Sequence, residues 1–149
     1  KIAREKKNIF FLIPMHKNKI VRKTLKSKLL EEKNIFLTEP LNYDEQIGAI
    51  KGSYLVMTDS GGLQEEVPSF GKPILILRSN TEREEVIIAG AAKLIGTRTE
   101  NIIESVQELM NNKKLYEKMS KAINPFGDGY ASKRILDHCL QYINSKKGH

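Results

Sequence analysis

Tyr54-Leu55-Val56-Met57-Thr58-Asp59-Ser60-Gly61-Gly62-Leu63-Gln64-Glu65-Glu66 runs from a short apolar segment through two glycines into a run of helix formers. Read as strand, tight bend and helix, it sets the pattern for the rest of the chain. Four more apolar runs, mostly β-branched or aromatic, flank it: Ile9-Phe10-Phe11-Leu12-Ile13, Ile35-Phe36-Leu37, Ile74-Leu75-Ile76-Leu77 and Lys93-Leu94-Ile95. They show little polar alternation, as expected of strands buried on both faces.

Amphipathic stretches separate these runs. Ile20, Val21, Leu25, Leu29 and Leu30 recur at helical spacing among lysines, which predicts one helix with an apolar stripe and a solvated cationic face. Further helices are expected near residues 43–51, 62–70 and 113–122, with a short one after Thr81. Thr81 with Glu84, and Thr97 with Glu100, stand at capping-box spacing. The second pair precedes Ile102, Ile103, Val106, Leu109 and Met110 on one helical face. After the turn formers of residues 124–129, a last helix is predicted with Ile135, Leu136, Cys139, Leu140 and Ile143 facing inward, which makes Cys139 an inert core thiol. Alternating strands and helices with short connections imply right-handed crossovers and a parallel sheet covered on both faces.

The chain has 149 residues, of which 40% are hydrophobic, enough for one domain that hides roughly 70% of its unfolded surface. No apolar run approaches the ~20 residues of a membrane span, and no leader pattern is visible, so a cytoplasmic location and no membrane association are expected. One cysteine and three histidines make no metal-ligand spacing, so no metal is expected. Lys1 is not an initiator and Gly148-His149 reads as the start of an added tail, so the chain is expected to be an excerpt. The net charge of +7 is local: residues 1–33 carry 11 basic and 3 acidic side chains, and the remainder carries 14 and 15. A solvated helix face accounts for this basicity. Interleaved stacking aromatics are missing, so no nucleic-acid partner is expected.

Ligands of open parallel sheets gather beyond the carboxyl ends of the strands. Three loops there are unusual. Gly61 and Gly62 let a ligand approach the backbone, and the first amides of the following helix have no internal partner, which suits a phosphate; such glycines also serve tight packing. Glu66 lies one turn beyond Gly62, on the same face, where it could accept hydrogen bonds from ribose hydroxyls. Glu65 is rotated from it by about 100° and is expected to face solvent or a structural partner. Both carboxylates also suit the helix dipole. In the second loop, Arg78 and Arg83 carry forks of donors fitted to phosphate or sugar oxygens, with salt bridges to Glu82, Glu84 or Glu85 as the alternative use. The third loop, Pro14-Met15-His16-Lys17-Asn18, holds a lone histidine of the kind more often hydrogen-bonded than catalytic.

The residues Thr58-Asp59-Ser60-Gly61-Gly62-Leu63-Gln64-Glu65-Glu66, Gly71-Lys72-Pro73, Arg78, Thr81-Glu82-Arg83, Gly90, Leu94-Ile95-Gly96-Thr97 and Asn124-Pro125-Phe126-Gly127-Asp128-Gly129 resemble, in order, the C-terminal domain of non-hydrolysing UDP-N-acetylglucosamine 2-epimerases. The likeness runs from about Ile9 to Ile143. It implies a Rossmann-like α/β domain, the C-terminal half of a two-domain glycosyltransferase-B-like fold. Residues 1–149 would then be a single, partial UDP-binding domain lacking the N-terminal catalytic half. The family interconverts UDP-GlcNAc and UDP-ManNAc by eliminating UDP across C1–C2 to a 2-acetamidoglucal and adding it back on the other face, without nicotinamide or another cofactor. On the matching positions, Ser60, Gly61 and Gly62 would hold the diphosphate, Glu66 the ribose, and Arg83 would contact the nucleotide-sugar. His16 matches a histidine of a Pro-x-His-x-Asn stretch and would face the interdomain cleft.

The resemblance also implies what this segment lacks. Acidic residues that handle the C2 proton belong to the family's N-terminal domain, and a His-Arg-x-Glu-Asn motif lies just upstream of Lys1, so no catalytic residue is expected here. Ser79, Asn80 and Glu84 replace the more usual Asp, Thr and Pro, and Gln46 stands where an aromatic often helps to hold the uracil. A strand from the middle of the sheet is also missing, which leaves the five strands to close a gap, swap between chains or borrow a segment. A homodimer is expected of the full-length parent. Competing readings are the nucleotide half of a UDP-sugar glycosyltransferase or hydrolysing epimerase, and a non-catalytic nucleotide- or polyanion-binding module.

Overall fold

A computed structural model describes residues 1–147; the closing Gly148-His149, read above as an added tail, lies outside them. Five strands form at the expected places: β1 (Phe11–Pro14), β2 (Ile35–Thr38), β3 (Val56–Thr58), β4 (Ile74–Ile76) and β5 (Ala92–Leu94). The described residues form eight α-helices: α1 (Ile2–Glu5), α2 (Lys19–Leu29), α3 (Tyr43–Gly52), α4 (Gly61–Glu66), α5 (Glu84–Ile88), α6 (Thr99–Asn111), α7 (Lys113–Ser120) and α8 (Ala131–Lys147). Helix α4 tightens into a 3₁₀ turn, Val67–Phe70, where Pro68 cannot donate to a longer helix. No described helix is long and apolar enough to cross a membrane.

All three strand pairings are parallel, each bridged by helix, so the alternation of strand and helix is borne out. The strands divide into two sheets, β1-β2 and β3-β4-β5. The gap anticipated in the middle is therefore left open, and β1 and β3 each have a strand neighbour on one side only among the described residues.

Sheet β3-β4-β5 meets the expectation of two covered faces. Ile74 and Ile76 pack on one side with Ile50, Val67 and Val86 from α3, the 3₁₀ turn and α5. Leu75 packs on the other with Val106, Leu109 and Met119 from α6 and α7. All three β4 side chains are completely buried.

The smaller sheet departs from it. Leu12 and Phe36, opposite each other in the register, are 48% and 49% exposed, and the Phe10 ring lies tilted against Phe36 with centroids 6.0 Å apart. Among the described residues one face of this sheet is left uncovered, so burial alternates along β1 and Phe36 is the exposed residue of β2 although the runs are largely apolar. The stripe predicted on α2 is likewise incomplete: Leu25 and Leu29 are half-buried, whereas Ile20 is 76% exposed.

Helix α8 corrects a further expectation. Ile135, Leu136, Leu140, Ile143 and Cys139 are all exposed, so Cys139 is not a core thiol. Both faces of β3-β4-β5 are already occupied by other helices, and the turn before α8 leads it off the sheet. That turn is pinned by Asp128, whose carboxylate accepts two bonds from Arg134, at 2.8 and 2.6 Å, and one from the Tyr130 N–H at 3.1 Å. The Arg134 donors, then the Tyr130 amide, hold the Asp128 carboxyl well below the usual carboxylate range. A depressed folded pKa contributes stability that is complete above the unfolded value of about 4 and is lost as pH falls through the folded value. We expect the Asp128 carboxyl group to remain ionised at about pH 3 by NMR, and Arg134→Met to raise its midpoint toward, without reaching, the free value of about 3.9, because the Tyr130 amide still donates to it. An unshifted midpoint in the native chain contradicts this.

Candidate functional site

Register brings the working loops to one end of the larger sheet. Thr58, Ile76 and Leu94 are the last residues of their strands, and Thr58 pairs with Ile76 as Ile76 does with Leu94. The Gly-Gly turn and the arginine loop therefore leave adjacent strands at the same level.

Locally, the turn is shaped by Thr58, whose Oγ1 accepts the Ser60 N–H at 3.0 Å. Ser60 is the N-cap of α4 with extended backbone, and its hydroxyl makes no capping bond. The first amides of α4 are thus left for another acceptor. Gly61 is closely approached: a Cβ there would stand 3.3 Å from Arg83 Cζ and 3.5 Å from its Nη2. The guanidinium lies against the glycine backbone, so the close approach read from the sequence is made in this structure by Arg83. Gly62 has no such neighbour, the nearest atom to its would-be Cβ being Ser60 Oγ at 3.9 Å.

Arg83 is held from two sides. Its Nε donates to Glu65 Oε1 at 2.8 Å and its Nη1 to Glu82 Oε1 at 2.8 Å. Glu82 in turn accepts from Arg78 Nη1 at 3.1 Å. The Glu65 hydrogen bond is the main reason the Arg83 pKa is raised above its ordinary value. Both arginines thus pair with acids, and Glu65 faces a structural partner, as expected; that the partner is Arg83 could not be read from spacing. Glu66 is half-buried and forms no ion pair among the described residues. His16 is exposed at the end of β1, on the smaller sheet, and its Nδ1 accepts the Asn18 N–H at 3.1 Å. The structure thus brings Ser60, Gly61 and Arg83 together and keeps His16 on a separate sheet.

Gln64 was missed. It is completely buried; its Nε2 donates to the Ser60 carbonyl at 3.2 Å and its Oε1 accepts the Thr81 hydroxyl at 2.6 Å. Burying an amide is costly without such partners. Thr81 Oγ1 also accepts the Arg83 N–H at 3.1 Å. The predicted Thr81–Glu84 capping box does not form, because this hydroxyl is engaged with Gln64 and Arg83 and α5 begins only at Glu84. Nor does Thr97–Glu100, since α6 starts at Thr99 with Arg98 as N-cap. Asn42 and Glu45 form a complete capping box on α3 instead. From the turn cluster, Asn124 Nδ2 donates to the Glu65 carbonyl at 3.2 Å and to Ser69 Oγ at 2.6 Å, which fastens the far end of α4.

Beside the arginine loop lies a hollow of about 310 Å³ lined by Ser79, Thr81, Ile87 and Leu94. A larger one, about 390 Å³, lies between β5 and α6, where Lys93 and Glu108 pair at 2.6 Å; none of its lining residues belongs to the Gly-Gly turn or the arginine loop.

Parallel strands bridged by helices, with the Gly-Gly turn and the arginine loop at their carboxyl ends, define a Rossmann-like α/β fold. The chain belongs to the UDP-N-acetylglucosamine 2-epimerase family, whose model it matches over residues 1–140. A UDP-N-acetylglucosamine 2-epimerase of Campylobacter jejuni is 46% identical over 145 residues, covering 97% of this chain and 38% of that protein. One of Neisseria meningitidis is 43% identical, covering 94% and 38%. Among solved structures, the S. aureus MnaA-UDP co-structure superposes with a TM-score of 0.89 at 45% identity, covering 96% of this chain and 38% of that one. The N. meningitidis epimerase bound to UDP-GlcNAc does so with 0.89 at 43%, covering 94% and 38%. The chain therefore spans a little over a third of the length of these relatives.

Proposed function

We propose that this chain is the UDP-binding C-terminal part of an enzyme that interconverts UDP-GlcNAc and UDP-ManNAc by elimination and re-addition of UDP. Ser60, Gly61 and Gly62 receive the diphosphate, Glu66 accepts hydrogen bonds from the ribose hydroxyls, and Arg83 meets the phosphates from its loop. His16 faces the cleft toward the rest of the parent protein. The observation that carries this reading is the uncapped Ser60-Gly61-Gly62 turn with the Arg83 guanidinium set against it. Family membership and neighbours solved with UDP and UDP-GlcNAc support it.

The chemistry follows from charge. When C1–O breaks and the C2 proton is removed, the electron pair of the C1–O bond leaves with the diphosphate. Amides and a guanidinium fixed at that position stabilise the departing anion more than the bound substrate, and so lower the barrier in both directions. This segment supplies the leaving-group half of the reaction; the proton transfers belong to the other half.

Ser60→Ala, Glu66→Ala and Arg83→Ala test the site. Each is expected to weaken UDP binding, by about threefold for Ser60 and about tenfold for the two charged residues, measured by calorimetry. Unchanged affinity in all three contradicts the assignment.

A further inference from the structure

We propose that Gln64 and Glu65 are positioning residues that set Arg83 against the Gly61 backbone, Glu65 by a direct ion pair and Gln64 through Thr81. The inference rests on the UDP-binding reading and adds to it how the phosphate-facing arginine is held.

An arginine side chain has many rotamers, and ordering it on ligand arrival costs affinity. Here the ordering is already done. Glu65 takes the Nε edge and Glu82 takes Nη1, which leaves Nη2 without a hydrogen bond among the described residues. The guanidinium stands against Gly61, with Cζ 3.3 Å, Nη2 3.5 Å and Nε 3.6 Å from the position of a Gly61 Cβ, so the unbonded Nη2 sits beside the Gly-Gly turn. Glu65 therefore holds the arginine head beside the turn with Nη2 left over, as well as pairing with its charge.

The backbone of Arg83 is fixed separately. Its N–H donates to Thr81 Oγ1, the Thr81 hydroxyl donates to Gln64, and Gln64 donates to the carbonyl of Ser60. Because Gln64 is fully buried, releasing either of its bonds strands a polar group in the core. The chain of bonds ties the arginine loop to the residue that opens the Gly-Gly turn. Two neighbouring side chains of α4 thus control one arginine, one at its backbone and one at its head.

The test uses NMR-detected titrations of this chain with UDP and with uridine. Glu65→Gln is expected to lower UDP affinity about three- to tenfold and leave uridine affinity within about twofold. Glu65→Gln combined with Arg83→Ala is expected to lose no more than Arg83→Ala alone, because Glu65 acts only through Arg83. Thr81→Val is expected to share the loss and Thr81→Ser, which keeps the hydroxyl, to restore it. Glu65 is partly exposed, so Glu65→Gln leaves the core untouched. If UDP binds Glu65→Gln as tightly as the native chain or more tightly, Glu65 competes with phosphate for the arginine and the inference is overturned. Multiplying losses in the double variant overturn it as well. A native chain that binds UDP no better than uridine overturns the UDP site itself.

Discussion

Incubated with UDP-GlcNAc, these 149 residues are expected to form UDP-ManNAc at no more than about one ten-thousandth of the rate of a full-length relative. The reason is chemical. Epimerisation at C2 needs a proton removed from one face and delivered to the other, and each positioned acid or base is worth roughly 10²- to 10⁴-fold. The resemblance assigns those groups to an N-terminal domain and to a motif upstream of Lys1. Of the residues present here, Arg83 is paired with two acids and His16 is hydrogen-bonded within its own loop. The same preparation should still bind UDP. A progress curve by NMR or coupled chromatography reads the result directly, and turnover within tenfold of the relative contradicts the division of labour.

The second large effect concerns the turn that ends the 3₁₀ segment after α4. Gly71 has φ +62°, its N–H donates to the Pro68 carbonyl at 3.1 Å, and a Cβ there would stand 3.0 Å from the carbonyl oxygen of Ser120 at the end of α7. A β-branched residue meets both problems at once. The left-handed region costs an L residue about 1–2 kcal/mol, and the backbone of α7 must move to admit the side chain. Gly71→Val is therefore expected to lower unfolding free energy by about 3 kcal/mol, seen as an earlier denaturant midpoint at unchanged m-value. Gly48→Ala is the control: nothing lies within 4 Å of that position in α3, and it should stabilise by roughly 0.5–1 kcal/mol. A Gly71→Val chain with native stability contradicts the argument.

Much of this architecture is legible in the amino-acid order because the signals are local. The short β-branched run Ile74-Leu75-Ile76 reads as a buried strand, and it is the centre of the larger sheet. The helix of residues 102–110 keeps Val106 and Leu109 inward as its spacing requires. What spacing does not encode is the presence of a partner. Helix α8 has the periodicity of a packed helix and Leu12 and Phe36 the composition of a covered sheet, yet among the described residues these side chains stay exposed. Helix starts failed for a related reason: Thr81 matches a capping pattern, but a buried amide 17 positions earlier in the chain competes for the same hydroxyl. Likewise Glu82 could be named as an acid near Arg83, while the grip of Glu65 on the same arginine depends on two strands being in register.

The most direct test is a crystal structure of this chain with UDP. The account predicts phosphate oxygens within about 3.2 Å of the Gly61 and Gly62 amides, Arg83 Nη2 turned to the same oxygens, and the Glu66 carboxylate on the ribose hydroxyls. UDP seated elsewhere, for instance in the hollow between β5 and α6, with residues 60–66 untouched, contradicts it.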